Sequence, residues 1–196
     1  MNLIIRREET KDYKIVEAIT REAFYNSNDL KEKGFPCSEA FFVHKLREKD
    51  GIIELSLVAE YNSIIVGHII YSHSYILTNT NTKIETVTFG PISVKKDYQN
   101  KGVGKALINF SMKKAKDLGY KAIIIYGHPD YYKKFDFIPA SSYGITTKDG
   151  LQFPAFMAKE LENGYLSETE GKFFESNIFD EEYYKSDIIE FERNNK

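Results

Sequence analysis

Apolar residues occur with two different spacings along this chain of 196 residues. Short β-branched or alternating runs predict strands at 3–6, 53–61, 64–77, 84–94, 121–126, 137–146 and 153–160. Apolar residues three or four positions apart predict helices at 11–24, 38–51, 101–118 and 130–135. We expect Thr10 and Ser38 to cap the first two helices, and polar turns at 26–36, 62–63 and 78–83. This order of strands and helices indicates a mixed α/β fold.

A turn between a predicted strand and a predicted helix carries two closely spaced glycines. The strand ends at Val94, and Gly102 and Gly104 stand where the helix begins. Glycines there let backbone N–H groups approach a ligand, and a helix start adds unpaired donors and a positive partial charge. With Lys101 and Lys105 alongside, this turn predicts a cradle for the diphosphate of a nucleotide-like cofactor.

Two familiar phosphate cradles are excluded by the residues themselves. A P-loop needs a longer spacing and a Ser or Thr after Gly-Lys, where this chain has Ala106. A dinucleotide fingerprint needs a third glycine at the position of Leu107. An ordinary turn without a ligand remains the alternative for a short pair of glycines.

The pattern that does fit is Gln-x-x-Gly-x-Gly, at Gln99, Gly102 and Gly104. It resembles the acetyl-CoA pyrophosphate motif of the GNAT N-acetyltransferase superfamily, and the preceding segment 90–94 looks like the strand before that motif in one bacterial branch. The resemblance covers about residues 3–161. It implies the GNAT acyl-CoA N-acyltransferase fold, α/β of the α+β type. Such a fold has a central mixed, mostly antiparallel, twisted sheet that is splayed at the cofactor site and flanked by helices.

Acetyl-CoA is the cosubstrate that this resemblance implies. In the family, the pantetheine arm pairs with the splayed strand, and the diphosphate meets the glycine turn. Gly90-Pro91 suggests a place where strand pairing stops, because proline has no N–H to donate. The implied cofactor-binding residues are Ile92, Ser93, Val94, Gln99, Asn100, Lys101, Gly102, Val103, Gly104 and Lys105.

A second resemblance indicates a catalytic residue. The segment 127–137 is similar to the GNAT pattern Tyr-x-x-x-Gly-Phe, whose tyrosine lies near the CoA sulfur as general acid. Counting back from Phe137 gives Tyr132 rather than Tyr131. A phenol with an ordinary pKa near ~10 is protonated at neutral pH and can donate to a thiolate. The chain departs from the pattern at Asp136, where glycine is usual, and aspartate tolerates turns well.

The residue that removes the proton from the acceptor stays open. Some relatives carry a glutamate on the strand before the cofactor turn, where this chain has Thr88, which cannot act as a base. Other candidates are Glu85, Glu60, His73 and His128, and a chain of water molecules could serve instead.

Composition and charge limit the partners. Hydrophobic residues at 42% and charged residues at 29% are typical of a globular protein. A formal net charge of -2 gives no reason to expect nucleic acid or a membrane as partner, and no apolar run approaches membrane-spanning length.

Cysteine usage and the N-terminal residues indicate the compartment. The single cysteine, Cys37, excludes an intramolecular disulfide and favours a reducing compartment, and the N-terminal residues do not follow the order of a signal peptide. We expect a cytoplasmic protein, as a monomer or homodimer. No metal site is expected, because the four histidines have no metal-ligand spacing with Cys37.

The last part of the chain differs in composition from the rest. Residues 162–196 hold 10 acidic and 4 basic residues together with seven tyrosines and phenylalanines. Disordered acidic tails are poor in aromatic residues. We therefore expect an acetyltransferase domain at 1–161 and an acidic, aromatic C-terminal extension at 162–196 that packs on the core.

The residues and the resemblance together predict an N-acetyltransferase. It would transfer the acetyl group of acetyl-CoA to a primary amine of a small molecule or peptide by direct attack in a ternary complex. The alternative from another class is a non-catalytic CoA-binding or sensing module. A further alternative keeps the fold but uses another acyl-CoA or a non-amine acceptor.

Overall fold

The computed structural model of the protein describes residues 1–195. The strands are β1 (Ile4–Arg7), β2 (Leu57–Tyr61), β3 (Ile64–Thr78), β4 (Lys83–Val94), β5 (Ala122–Tyr126), β6 (Ile138–Pro139), β7 (Ile145–Thr146), β8 (Phe156–Glu160) and β9 (Gly171–Phe174). The helices are α1 (Tyr13–Phe24), α2 (Ser27–Glu32), α3 (Glu39–Glu48), α4 (Val103–Asp117), α5 (Pro129–Tyr132) and α6 (Lys185–Asn194).

The chain forms two compact units, and each is described by itself. The first unit comprises Met1–Ile70, Pro91–Ser111 and residues 177–195. The second unit comprises Tyr71–Gly90 and Met112–Ser176. Three elements pass from one unit into the other along the chain, namely β3, β4 and α4.

The first unit is built from antiparallel strands covered by helices. β1 pairs with β2, and β2 pairs with β3, with Ile4 opposite Glu60 and Leu57 opposite Ile69. The apolar sides of α1, α3 and α6 pack with residues of β2 and β3 in one core cluster. Its members include Val16, Val43, Leu46, Val58, Ile65 and Ile188. The C-terminal helix therefore supplies part of this core.

The second unit contains both parallel and antiparallel strand pairs. β4 and β5 are parallel, with Val87 opposite Ile123, while β8 pairs antiparallel with both β5 and β6. β9 pairs antiparallel with β3 and parallel with β7. A core cluster fills the space between them, including Ile76, Ile124, Phe156, Ala158 and Phe173. The predicted mixed α/β class, with mostly antiparallel pairing and flanking helices, is confirmed.

Several local predictions were also correct. β2 and β3 are joined at Asn62 and Ser63, which have φ angles of 49° and 62°. Two successive residues with positive φ are the signature of a two-residue hairpin turn that matches the strand twist. α4 ends before Gly119, whose φ of 90° is the left-handed conformation that closes many helices.

Several local predictions were wrong. The strand predicted at 53–61 begins only at Leu57, because Ile53–Leu55 is a 3₁₀ helix. Ser38 stands at the N-cap position of α3, but its hydroxyl donates to Glu181 and makes no cap hydrogen bond.

The segment 137–146 is not one strand, because a 3₁₀ turn, Ala140–Tyr143, separates β6 from β7. The loop 26–36 contains α2, whose N-cap Asn26 accepts a hydrogen bond from the N–H of Asn28. Thr10 is not a cap, since a 3₁₀ turn begins there and the Asp12 carboxylate instead accepts from the N–H of Glu9.

No helix within residues 1–195 has the length and apolar character needed to cross a membrane.

Candidate active site

The glycine turn in the first unit has the geometry of an open helix start. After β4, a 3₁₀ turn at Lys96–Tyr98 leads to Asn100 and Gly102, with φ angles of 58° and 88°. The first hydrogen bond into α4 runs from the N–H of Ala106 to the carbonyl of Gly102. The N–H groups of 103–105 therefore precede the helical ladder, where backbone donors have no intrahelical acceptor.

The side chains of this turn divide into those that shape it and those that face outward. The Gln99 side-chain amide donates to the carbonyl of Val94 at 3.1 Å and so ties the turn to the end of β4. Val103 is 1% exposed and belongs to the core. Lys101 and Lys105 are exposed. The backbone and the two lysines are thus what this turn offers to a ligand.

The end of β4 is held firmly within the first unit. The N–H of Lys95 donates to the carbonyl of Val66, and the hydroxyls of Ser93 and Thr20 are 2.9 Å apart. A methyl group on Gly67 would lie 3.0 Å from both the Ser93 carbonyl and Val103. Glycine at that position therefore lets β3, β4 and α4 approach closely. Ile92 and Val94 are each partly buried beside Ser93.

Tyr132 lies in the second unit, at the end of α5, and is 8% exposed. Its ring contacts those of Phe89, Tyr131 and Phe137, with centroid distances of 5.9, 5.1 and 5.7 Å. Burial raises the pKa of its phenol, and the neighbouring Tyr131 adds to the effect. Tyr132 therefore stays protonated at neutral pH.

Gly127, before Tyr132 in the chain, and Asp136, after it, explain the placement of the tyrosine ring. A Cβ on Gly127 would collide with the Tyr132 ring, so the ring packs directly on the backbone after β5. Asp136 has a φ of 62°, the left-handed conformation in which glycine is favoured and aspartate is tolerated. Asp136 thus adopts the backbone conformation that favours the glycine of the pattern.

A cluster of aromatic side chains lies at the end of β5, around Tyr126. Tyr126, the last residue of β5, stacks on Phe156 and Phe153 with centroid distances of 5.1 and 6.1 Å, and its ring meets that of Phe173 at 6.3 Å. Tyr126 is 45% exposed and Phe153 is 40% exposed. Two stacked aromatic rings therefore remain open to a ligand.

Glu175 follows β9 next to this cluster, and nothing in the sequence singled it out. Burial raises the pKa of Tyr126, and the charges of Glu175 and Asp149 raise it further. Burial raises the pKa of Glu175 itself to about 7, while Lys148 acts in the opposite direction. The sequence signal was weak because Glu175 and Tyr126 are far apart along the chain.

The residues that the sequence offered as candidate bases lie in different surroundings. Thr88 is buried, and Glu60 is paired with Arg6 at 3.1 Å. Glu85 and His128 are exposed, while His73 is exposed beside the Tyr120 ring. None of these side chains belongs to the aromatic cluster around Tyr126.

The first unit contains a buried network of charged side chains that no sequence pattern indicated. Arg47 donates to Glu8 at 2.6 and 3.1 Å and to Glu17 at 2.5 Å. Its guanidinium lies 4.1 Å from the centre of the Tyr13 ring. Ser56 donates to Glu8 at 2.6 Å. These contacts join the residue that follows β1 to α1 and α3.

Comparisons with known proteins identify the family to which this fold belongs. Residues 14–137 match the family model of the Acetyltransferase (GNAT) family. The chain belongs to this family, as the sequence motifs predicted.

Relatives extend the match beyond those residues. The chain is 25% identical over 170 residues to the uncharacterized N-acetyltransferase YhbS of Escherichia coli K12, which covers 86% of this chain and 93% of the relative. The crystal structure of YhbS from Escherichia coli in complex with CoA has a TM-score of 0.78 at 22% identity, covering 92% of this chain and 93% of that one.

A second solved structure has the same fold. A GNAT family acetyltransferase from Brucella melitensis, in complex with acetyl-CoA, has a TM-score of 0.68 at 22% identity. The match covers 91% of this chain and 98% of that one.

Proposed function

We propose that this protein transfers the acetyl group of acetyl-CoA to a primary amine by direct attack in a ternary complex. The observation that carries the proposal is the helix start at 102–105, where N–H groups outside the helical ladder stand beside Lys101 and Lys105. Unpaired donors and the positive end of a helix favour a diphosphate. That the two structural relatives hold CoA and acetyl-CoA supports the same ligand here.

The cofactor contacts follow from this placement. The backbone of 101–105 would hold the diphosphate, with the two lysines neutralising its charge. Gln99 and Asn100 would shape the turn, because the Gln99 amide is tied to Val94. The backbone of Ile92, Ser93 and Val94 would pair with the pantetheine arm, as the resemblance of the segment 90–94 to the family's cofactor strand implies.

Tyr132 is the proposed general acid. The amine lone pair attacks the thioester carbonyl carbon, and collapse of the tetrahedral intermediate breaks the C–S bond with the electron pair leaving on sulfur. The Tyr132 hydroxyl gives its proton to that sulfur, and the proton lost from nitrogen restores the phenol. A phenol whose pKa is raised by burial is in the protonated form that this step needs.

A covalent acyl-cysteine route has no support from Cys37. This thiol is buried, its Sγ donates to Glu39 at 3.4 Å, and burial raises its pKa to about 12. A protonated, buried thiol is a poor nucleophile. Direct transfer is therefore the simpler route.

Cofactor binding is tested by isothermal calorimetry with acetyl-CoA. Gly102→Val and Gly104→Val should each weaken binding sharply, because a branched side chain blocks close approach of a ligand to the backbone. Gly119→Val is the matched control, since Gly119 also has a positive φ and open space around it but lies at the other end of α4. Affinity that is unchanged in the first two variants would contradict the proposed cradle.

Turnover is tested by release of CoASH from acetyl-CoA with phenethylamine, a diamine and a short peptide with a free N-terminus. The proposal predicts release that depends on the amine. A non-catalytic CoA-binding module is the rival, favoured by the buried Thr88 at a position where some relatives carry a glutamate. Tight acetyl-CoA binding without amine-dependent release would favour that rival.

A further inference from the structure

We propose that Glu175 and the open rings of Tyr126 and Phe153 form the acceptor site, in which the Glu175 carboxylate receives a primary ammonium group and removes its proton. This inference rests on the proposed acetyl transfer to an amine. It assigns the proton acceptor that the sequence left open, and it places that group in the C-terminal extension.

Glu175 comes directly after the last residue of β9, Phe174. Phe173, two residues earlier, has its ring in the cluster with Tyr126 and Phe156. Residues two apart in an extended chain lie on the same face. Glu175 therefore follows on the side of the aromatic cluster, in agreement with the effect of its charge on Tyr126.

The carboxylate has no competing partner in the part of the chain that is described. Within residues 1–195, no hydrogen bond or ion pair involves the Glu175 side chain, although the charge of Lys148 lowers the pKa of its carboxyl group. The ionisable groups facing it are Tyr126 from β5 and Lys148 from the turn before β8, and Asp149 of the same turn faces Tyr126. A bound ammonium group would supply the missing partner.

The end of β5 lies between the two groups to which we assign proton transfer. Tyr126 is the last residue of β5, and Gly127 follows it directly. The Tyr132 ring packs on Gly127, whereas Glu175 lies beside Tyr126. A base for the incoming nitrogen and an acid for the departing sulfur thus approach the same strand end.

The exposed rings suit the organic part of such an acceptor. Tyr126 and Phe153 are nearly parallel, with an interplanar angle of 19°, and each is partly exposed to solvent. Aromatic faces attract cations and apolar groups. The acceptor class is therefore a primary amine on an apolar or aromatic body.

The proton transfer balances without another reactant. The ammonium nitrogen gives one proton to the Glu175 carboxylate, which becomes a carboxylic acid, and the nitrogen keeps the electron pair for attack. Glu175 then returns its proton to water. A base works best when its pKa is close to the working pH, and the pKa of Glu175 at about 7 meets this condition.

The kinetic test follows acetyl transfer to phenethylamine from pH 6 to pH 10. In Glu175→Gln, kcat at pH 7 should fall by roughly 10²-fold or more, the usual contribution of a general base. The defect should shrink toward pH 10, where a growing share of the amine is already neutral. Asp149→Asn, which removes the other carboxylate near Tyr126, should follow the wild-type profile. If Glu175→Gln has the wild-type rate and pH profile, the inference is overturned.

A binding test separates this inference from the proposed function. Calorimetry with phenethylammonium and the CoA-saturated protein, in which no transfer occurs, should detect binding that Glu175→Gln loses and Asp149→Asn keeps. Equal binding in wild type and Glu175→Gln, or none in either, would overturn the acceptor site. Binding lost only in Glu175→Gln, without turnover of any amine, would instead support the site and reject the transfer chemistry.

Discussion

Glu8 and Glu175 are two carboxylates withdrawn from water, one in each unit, and their pKa values move in opposite directions. Burial alone would raise the pKa of Glu8, but interactions with His68 and Arg47 outweigh it and lower the value to about 2. Burial raises the pKa of Glu175 to about 7, opposed only by Lys148. The difference lies in the partners and not in the degree of burial.

The comparison separates a structural carboxylate from a reactive one. Glu8 holds an arginine, a serine and a histidine in place around it, so its charge is used within the fold. Within residues 1–195 no ion pair or hydrogen bond occupies the Glu175 carboxylate, so it can accept a charged ligand. A carboxylate that is partly buried and unpaired is therefore the more useful signal of chemistry in this molecule.

Removing residues 162–196 should have the largest effect, because it deletes Glu175 together with β9 and α6. Phe173 and Ile188 are at most 1% exposed, and burial of one such side chain contributes roughly 1.5–3 kcal/mol. With a shift of ~2–4 °C per kcal/mol, these two alone predict a melting temperature lower by at least roughly 6 °C. Calorimetric melting checks this, with a chain ending at Asn194 as control. An unchanged melting curve would show the extension to be dispensable.

Arg47→Met tests the structural role of Glu8, the carboxylate that is paired within the fold. It leaves Glu8 and Glu17 buried without their cation, and breaking a buried ion pair from one side costs about 3–5 kcal/mol. Urea unfolding at pH 7 measures the loss. Lys45→Met on the same helix removes only a surface pair with Glu48, for which we expect at most about 1 kcal/mol. Equal effects of the two variants would refute the role given to the buried network.

Tyr132→Phe extends the comparison to a buried phenol that has no charged partner within residues 1–195. Because burial keeps this group protonated, its loss should lower kcat by at least roughly tenfold while acetyl-CoA affinity stays nearly unchanged. Tyr131→Phe is the control, as its ring is a direct neighbour but is 36% exposed. Steady-state kinetics with an accepted amine decides. Wild-type turnover in both variants would remove the phenol from the mechanism.

The sequence predicted the parts of this picture that depend on neighbouring residues. The hairpin at Asn62-Ser63, the strand β4 and the helix after Gly102 follow from local spacing and turn chemistry. The pairs Glu8 with Arg47 and Tyr126 with Glu175 join distant segments, and no local pattern encodes them. The strand predicted at 137–146 failed because the apolar residues there serve a 3₁₀ turn and two short strands.

The stability of the two Glu→Gln variants should depend on pH with opposite sign, and this is the smallest effect. The folded pKa of Glu8 is lowered, so its contribution is present above the unfolded value near 4.5 and is lost as pH falls toward 2. Glu8→Gln should therefore destabilise the protein at pH 7. The folded pKa of Glu175 is raised, so its ionisation opposes folding as pH rises from 4.5 through 7.

Glu175→Gln should accordingly raise the melting temperature at pH 8 relative to wild type and have little effect at pH 4. Melting curves of both variants at these pH values provide the check. If the melting temperatures of both variants shift in the same direction at pH 8, the partners of Glu8 and Glu175 do not give the two carboxylates opposite effects on stability.

The most direct test is a titration of both carboxyl groups by ¹³C NMR on protein labelled at the glutamate side-chain carboxyl carbon, with Glu8→Gln and Glu175→Gln used to assign the two signals. We predict that Glu175 titrates near pH 7 and that its signal responds to phenethylammonium, while Glu8 remains ionised well below pH 4. Titration of Glu175 near the ordinary value of about 4.3, with no response to the amine, would contradict the account.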